Sequence, residues 1–316
     1  MIHLNNISTQ FFAGAGALGF DGFDGGHPPL VRWYKKPYRW LGLLDPREFV
    51  VITKTITGSP VKGNLTDWSF WRSVRRYGKR SIVNCVALTN PGLRVWVDEY
   101  WPRARDAGLK IVLSLQPSTL SEAAWMASYV RRCPELAGVQ LNLCPNVAQT
   151  DLGLFEAIVL NFCRQVDLPV GVKFGYTQPW PELCKRLDGK LAWVELINAV
   201  PWKDATIVKG QVSPLAKYGY DGSLSGSDIA HYSLDALVEY KNLGLKTPVA
   251  SGGGVVGGEA SKLAPVASRL EDNVCTRFKL GADAVVFSTA FLWEPAGPNR
   301  VVRAYNKSRE LQEINK

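Results

Sequence analysis

The sequence predicts an α/β chain folded as a (β/α)8 barrel, and three observations carry that expectation. Short β-branched runs recur eight times along the 316 residues, several of them continuously apolar, as parallel strands covered on both faces must be. The stretches between them are long enough for a helix, which is the alternation of a parallel sheet and not of hairpins. The length also suits one such barrel, a unit that routinely reaches about 250 residues or more.

Taken in order, the strand-like runs are 50–53, 81–86, 110–115, 138–143, 170–174, 192–197, 248–251 and 284–287. Helix-like segments lie at 94–107, 121–133, 154–166, 180–187 and 233–242, with one ending near 280 and a last at 301–315. Ser121 followed by Glu122 and Ala-Ala-Trp-Met reads as a capped helix start, and Gly108 and Gly244 read as helix stops. Two connections exceed a plain turn: 55–80 after the first run and 201–232 after the sixth. Both follow strand C-termini, where a barrel places its active-site loops. The Pro/Gly-rich stretch 19–37 reads as a lead-in laid over one end of the barrel. With no repeat, low-complexity tract or linker, residues 1–316 are expected to form a single domain.

Composition excludes several classes. Cys85, Cys133, Cys144, Cys163, Cys184 and Cys275 lie far apart with no CxxC pair, against a zinc knuckle, an iron–sulfur run or a disulfide-stapled secreted scaffold. No metal site is expected, and His27 and His231 read as satisfied surface histidines. The opening Met-Ile-His-Leu-Asn-Asn lacks a basic-then-apolar pattern, and no apolar stretch reaches spanning length, so a cytoplasmic location and no membrane partner are expected. Lys and Arg number 37 against 28 Asp and Glu, a formal charge of +9. The excess is spread in short clusters such as Arg72–Arg80, which reads first as a solvated basic surface and second as steering for an anion or nucleic acid.

The informative residues are polar ones at strand ends. They are Thr53-Lys54-Thr55, Asn84, Asn142 with Asn146 four positions on, Lys173 and Asn198. One Asn at a strand end is ordinary turn chemistry; four Asn and two Lys on one rim suggest a site. Gly252-Gly253-Gly254 directly follows the seventh run and Ser288-Thr289 the eighth. Backbone N–H groups approach a phosphate closely only where no Cβ intervenes, so this pattern matches the usual barrel phosphate site.

These segments together resemble the dihydroorotate dehydrogenase family of FMN-dependent barrels, and most closely its soluble class with a cysteine base. The resemblance is carried by ITKT at 52–55 with Gly63-Asn64, Asn84 with Asn90, and QLNLCPNV at 140–147. It continues through GVKF at 171–174, Ile197-Asn198, GSLSG at 222–226, SGGGV at 251–255 and STA at 288–290. It implies FMN at the C-terminal face of the strands, contacted by Lys54, Asn142 and Lys173 and lined by Ala15, Gly16, Thr55 and Gly226, its phosphate on Gly253, Gly254, Ser288 and Thr289. It further implies that Asn84, Asn142, Asn146 and Asn198, with Lys54, hold a pyrimidine, and that Cys144 is the catalytic base with Lys54 assisting. A homodimer, with room for an electron-transfer partner subunit, belongs to the same implication, as does a role in pyrimidine biosynthesis. Three positions depart from the family pattern: the Asn142–Cys144 spacing is one residue shorter, Ala199 replaces a usual Ser, and Ser288 a usual Gly.

The residue types suit that chemistry. Dihydroorotate presents alternating C=O and N–H groups, and each Asn amide offers a donor and an acceptor. A ligand lacking those groups would leave the amides unpaired, the strong form of discrimination. Oxidation removes a proton from C5 and a hydride from C6, which requires a base on one side and a hydride acceptor on the other. A flavin barrel acting on another pyrimidine or on tRNA uridine, or an FMN-binding protein without turnover, remains as an alternative.

Overall fold

Closing a parallel sheet into a barrel leaves none of its strands with an unpaired edge. The chain, a computed structural model that describes residues 1–65, 70–142, 151–257 and 269–314, takes that solution. A hairpin comes first, Ile2–Leu4 (β1) and Ile7–Thr9 (β2), then Phe11–Ala13 (β3), the helix Pro29–Trp40 (α1) and Val50–Ile52 (β4). Val74–Tyr77 (β5) and Ser81–Asn84 (β6) follow. Leu93–Val95 (α2) then runs through a π-helical turn into Trp101–Asp106 (α3). Next come Lys110–Leu115 (β7), Leu120–Val130 (α4), Gly138–Asn142 (β8), Leu152–Gln165 (α5), Val170–Lys173 (β9) and Trp180–Leu187 (α6). The second half holds Trp193–Leu196 (β10), Val200–Pro201 (β11), Ser223–Gly226 (β12), Ala230–Asn242 (α7) and Val249–Ser251 (β13). Leu270–Lys279 (α8), Ala284–Phe287 (β14), Ala290–Trp293 (α9) and Gly297–Ile314 (α10) complete it.

Eight parallel strands close the barrel in the order β3-β4-β7-β8-β9-β10-β13-β14, and β14 pairs back onto β3. The expected fold class therefore holds, but its membership differs by one strand. Phe11–Ala13 takes a barrel place that its three residues, none of them β-branched, do not announce. The run at 81–86 leaves the barrel. Its strand β6 alternates buried and half-buried positions, as a one-sided antiparallel strand does. It pairs with β5 and β12 in a four-stranded sheet, β11-β12-β6-β5, whose other strands come from the two long connections or their borders.

Other boundaries shift for local reasons. The cap of α4 is Thr119, not Ser121: its hydroxyl accepts from Glu122 N at 3.1 Å, and the helix starts at Leu120. The stretch read as a lead-in contains α1, which begins on Pro29 at its first turn.

Two apolar cores result. The outward parity of each strand packs beneath the helices, as with Val51, Leu113, Val172 and Phe287. The inward parity, including Phe12, Val50, Ile52, Val112, Trp193 and Val286, fills the barrel together with Ile2 and Leu4 of the hairpin. Asn5 N donates to Ala137 O at 3.0 Å, which places that hairpin as a plug at the N-terminal end of the strands. Trp193 is fully buried there and stacks on Phe12 at 6.0 Å. Its indole occupies the space a side chain at Gly171 would need. Gly171→Ala should therefore lower stability by about 1–3 kcal/mol through overpacking, read as a lower urea midpoint; an unchanged midpoint would contradict this account of the barrel interior.

Candidate functional site

Because successive side chains of a strand face opposite ways, the parity that fills the barrel also delivers its polar residues to one place. Above Trp193 on the same strand comes Glu195, whose register partner on β9 is Lys173. Their side chains form an ion pair at 2.7 Å, with 6% and 1% exposure, and Gln140 Nε2 donates to the other Glu195 oxygen at 2.7 Å. The barrel thus has an ionic layer lying directly on an aromatic one. Neither Glu195 nor Gln140 was assigned a role from the sequence. The available signal was an acid inside the apolar run Trp-Val-Glu-Leu, since an interior carboxylate needs a partner.

Lys173 is engaged with that carboxylate; Lys54 is not. Its backbone N donates to Gly19 O at 2.9 Å, and its ammonium lies 5.3 Å from the centroid of the Phe20 ring. Lys54 Nζ is buried and, among the described residues, has no hydrogen-bond partner. Burial alone pulls the group down to about 8. Nearby, Asn142 Nδ2 donates to Thr55 Oγ1 at 2.8 Å, and Thr55 Oγ1 lies 3.0 Å from Ser114 Oγ. Asn142 Oδ1, also buried, has no partner among the described residues.

The turn after β13 is built from behind. Gly253 and Gly254 take φ of 76° and 70°, a region closed to most side chains. Arg277 of α8, fully buried, donates to Gly253 O at 2.7 Å, to Ser251 Oγ at 2.6 Å and to Ser233 Oγ at 2.8 Å. Asn273, one turn earlier, accepts from Arg277 Nε at 2.9 Å and donates to Gly254 O at 3.0 Å. A trans peptide sets N–H opposite C=O. With both carbonyls drawn toward α8, the N–H groups of Gly254 and Val255 face away from it. Arg277 contacts no carboxylate among the described residues, and burial lowers it to about 9. A buried positive charge therefore stands behind those outward N–H groups. Sequence reading missed it because only the fold brings α8 under this turn.

On the opposite side, the segment after β3 packs against the end of β14, with Gly14 pressed on Ser288 Oγ. Ser288 and Thr289 lead directly into α9. Gly16 O is held by a ring nitrogen of His27 at 2.8 Å, and the other ring nitrogen lies 2.9 Å from Asp24 Oδ1. His27, read from the sequence as a surface residue, belongs instead to this buried cluster, which includes Lys35 and Arg39. Gly16 and Ala17 are held by it through their carbonyls.

The structure brings Ala15, Gly16, Lys54, Thr55, Asn142, Lys173, Gly253, Gly254, Ser288 and Thr289 to the C-terminal end of the barrel strands. Asn198 lies just beyond β10, half-buried, its N donating to Phe174 O at 3.0 Å. Asn84 and Gly226 stand on the four-stranded sheet, Asn84 on β6 with its amide 3.4 Å from Ser225 Oγ, Gly226 paired with Ser81. Asn84 therefore does not end a barrel strand. Cys144 and Asn146 lie outside the described residues.

An unpaired buried ammonium destabilises the fold that holds it. Lys54→Met should therefore raise the thermal midpoint of the ligand-free chain at neutral pH. The penalty is fully present below the folded value of about 8. It is relieved as pH rises toward the unfolded lysine value of about 10.4, because in that window only the unfolded chain keeps the proton. Melts of both proteins across the window check this: their midpoints should converge as pH rises, and parallel curves would contradict it.

No family model matches the chain. It is 33% identical over 100 residues to the catalytic subunit of dihydroorotate dehydrogenase B (NAD(+)) from Geotalea daltonii, 31% of each chain. It is 28% identical over 117 residues to the same subunit from Carboxydothermus hydrogenoformans, covering 34% of this chain and 36% of that one. The chain thus spans about a third of the length of these relatives. Among solved structures, the old yellow enzyme from Trypanosoma cruzi is 12% identical, with a TM-score of 0.48 over 94% of this chain and 88% of that one, too loose a likeness to carry a reading of function.

Proposed function

We propose that this chain is an FMN-dependent oxidoreductase of the dihydroorotate dehydrogenase type, oxidising dihydroorotate to orotate. The observation that carries the reading is a pair of buried groups with no partner among the described residues, Lys54 Nζ and Asn142 Oδ1, the first beside Gly16 and the second on Thr55. Such groups are costly unless a ligand meets them. The Gly253–Gly254 turn, with N–H groups aimed away from a buried guanidinium, suits a phosphate. The partial likeness to dihydroorotate dehydrogenase B catalytic subunits points the same way.

In this reading Gly253, Gly254, Ser288 and Thr289 hold the phosphate of FMN, and Ala15, Gly16, Thr55 and Lys54 hold its ring. When bound, FMN supplies the acceptor for the C6 hydride. Lys54 places a positive charge where negative charge develops on reduction. Asn142 and Asn198, with Asn84 and Asn146, pair the pyrimidine edge, and Cys144 takes the C5 proton. Lys173, held by Glu195, fixes the floor on which the ring would rest. An electron-transfer partner subunit belongs to the proposal through the relatives' printed role as catalytic subunits, and a homodimer through the family resemblance alone. A second reading, action on a uracil base in RNA, is favoured by one feature. A groove of ≈ 440 Å³ on the four-stranded sheet is lined by Arg75, Arg76 and Lys217.

Purified protein should be yellow with one non-covalent FMN per chain, and anaerobic dihydroorotate should bleach it. Protein that binds no added FMN overturns the flavin assignment. Bound FMN that dihydroorotate leaves oxidised, but that responds to a uridine-containing RNA, moves the substrate to the second reading. Cys144→Ser should keep FMN and slow bleaching on the order of 10²–10⁴-fold, the usual contribution of a general base. Asn142→Ala should cost about 1–3 kcal/mol in substrate binding, seen as a raised KM; parental kinetics in both variants would remove these residues from the reaction.

A further inference from the structure

The helix α1 is inverted. Its single fully buried side chain is Lys35, 2% exposed, while Leu30 is 58%, Trp33 72%, Tyr34 42%, Trp40 85% and Leu41 61% exposed. These five fall at spacings of three, four and seven, so they form one continuous stripe along the outside of the helix. An amphipathic helix normally turns that stripe to the core. Here the charged face goes inward instead, for an identifiable reason. Asp24, fully buried, pairs with Lys35 at 2.9 Å and with Arg39 at 2.6 Å. Lys35 also donates to Ala17 O at 2.6 Å. Burial would raise Asp24, but the His27 hydrogen bond and the two cations hold it at about 2. Rotating α1 to hide the stripe would strand buried charges, which is far costlier than exposing apolar surface.

We propose that the outward face of α1 docks flat on an anionic lipid surface. Composition decides among occupants. Two tryptophans and a tyrosine beside leucines are the side chains that settle at the headgroup boundary, apolar body down and polar edge in water. The bases Arg32 and Lys36 are exposed along the flank of the stripe. Between residues 22 and 44 the sole acid is Asp24, which is buried, so the exposed surface of this segment is apolar and basic only. A second copy would bring those same bases together across a two-fold axis with no carboxylate of this segment to meet them. A protein partner needs a shaped area of about 800 Å² per side, whereas one convex ridge of three turns needs only a soft plane. The expectation of no membrane partner rested on spanning length, and surface docking requires none.

The test uses the full chain and sedimentation with phosphatidylcholine vesicles, with and without phosphatidylglycerol. The chain should pellet with the anionic vesicles and be released by high salt, which screens the bases. Trp33→Ser with Trp40→Ser should weaken binding on the order of tenfold or more, and leave the thermal midpoint unchanged because both rings are already in water. Arg32→Glu with Lys36→Glu should lose anionic preference by roughly fivefold per base. Failure to pellet with either vesicle overturns the proposal, as does binding that survives loss of both tryptophans. A dimer in sedimentation velocity that the tryptophan variant abolishes also overturns it, and assigns the stripe to a second copy.

Discussion

The site depends on one buried ion pair. Lys173 and Glu195, on neighbouring strands and in register, meet inside the barrel at 2.7 Å with almost no exposure. Removing two charges from water is costly, and their attraction offsets that only with good geometry and further hydrogen bonds. Gln140 supplies one, and the packed floor of Trp193 and Phe12 keeps water out beneath. Losing either partner would leave an uncompensated charge in the barrel. The pair therefore sets the height at which the apolar interior ends and the polar rim begins.

Above that floor the electrostatics are deliberately unbalanced. Among the described residues Lys54 has no counter-ion, and the buried guanidinium of Arg277 meets only neutral acceptors. Both are cations whose burial favours the uncharged form. Their presence at the same end of one barrel creates a local positive potential that water does not screen well. An anionic ligand with a phosphate at one end and an electron-rich ring at the other is complementary to it. The net charge of the chain is a separate matter, spread over the surface and subject to salt.

The N-terminal segment applies the same physics to a different end. Asp24 gathers His27, Lys35 and Arg39 into a buried cluster that ties α1 to the carbonyls of Gly16 and Ala17. One carboxylate thus holds part of the rim in place and sets the orientation of a helix. The outward tryptophans are a consequence of where the cations had to go.

The sequence by itself determined the barrel class, seven of its eight strands, the long connections that carry the extra sheet, and the rim residues Lys54, Asn142 and Lys173. It could do so because apolar runs of strand length and strand-end placement are local properties, written in consecutive residues. What only tertiary structure decided was partnership. The strand 11–13 is too short to declare itself, and 81–84 has a strong strand pattern that says nothing of which strand it will pair with. Lys173 and Lys54 look alike in sequence, yet one is neutralised by Glu195 and the other is not, because register across the sheet chooses the neighbour. Arg277 lies 24 residues beyond Gly253, and its role exists only where α8 folds beneath that turn. Local pattern selects which face of an element is apolar; whether a buried charge finds its partner is decided by elements that meet only once the barrel has closed.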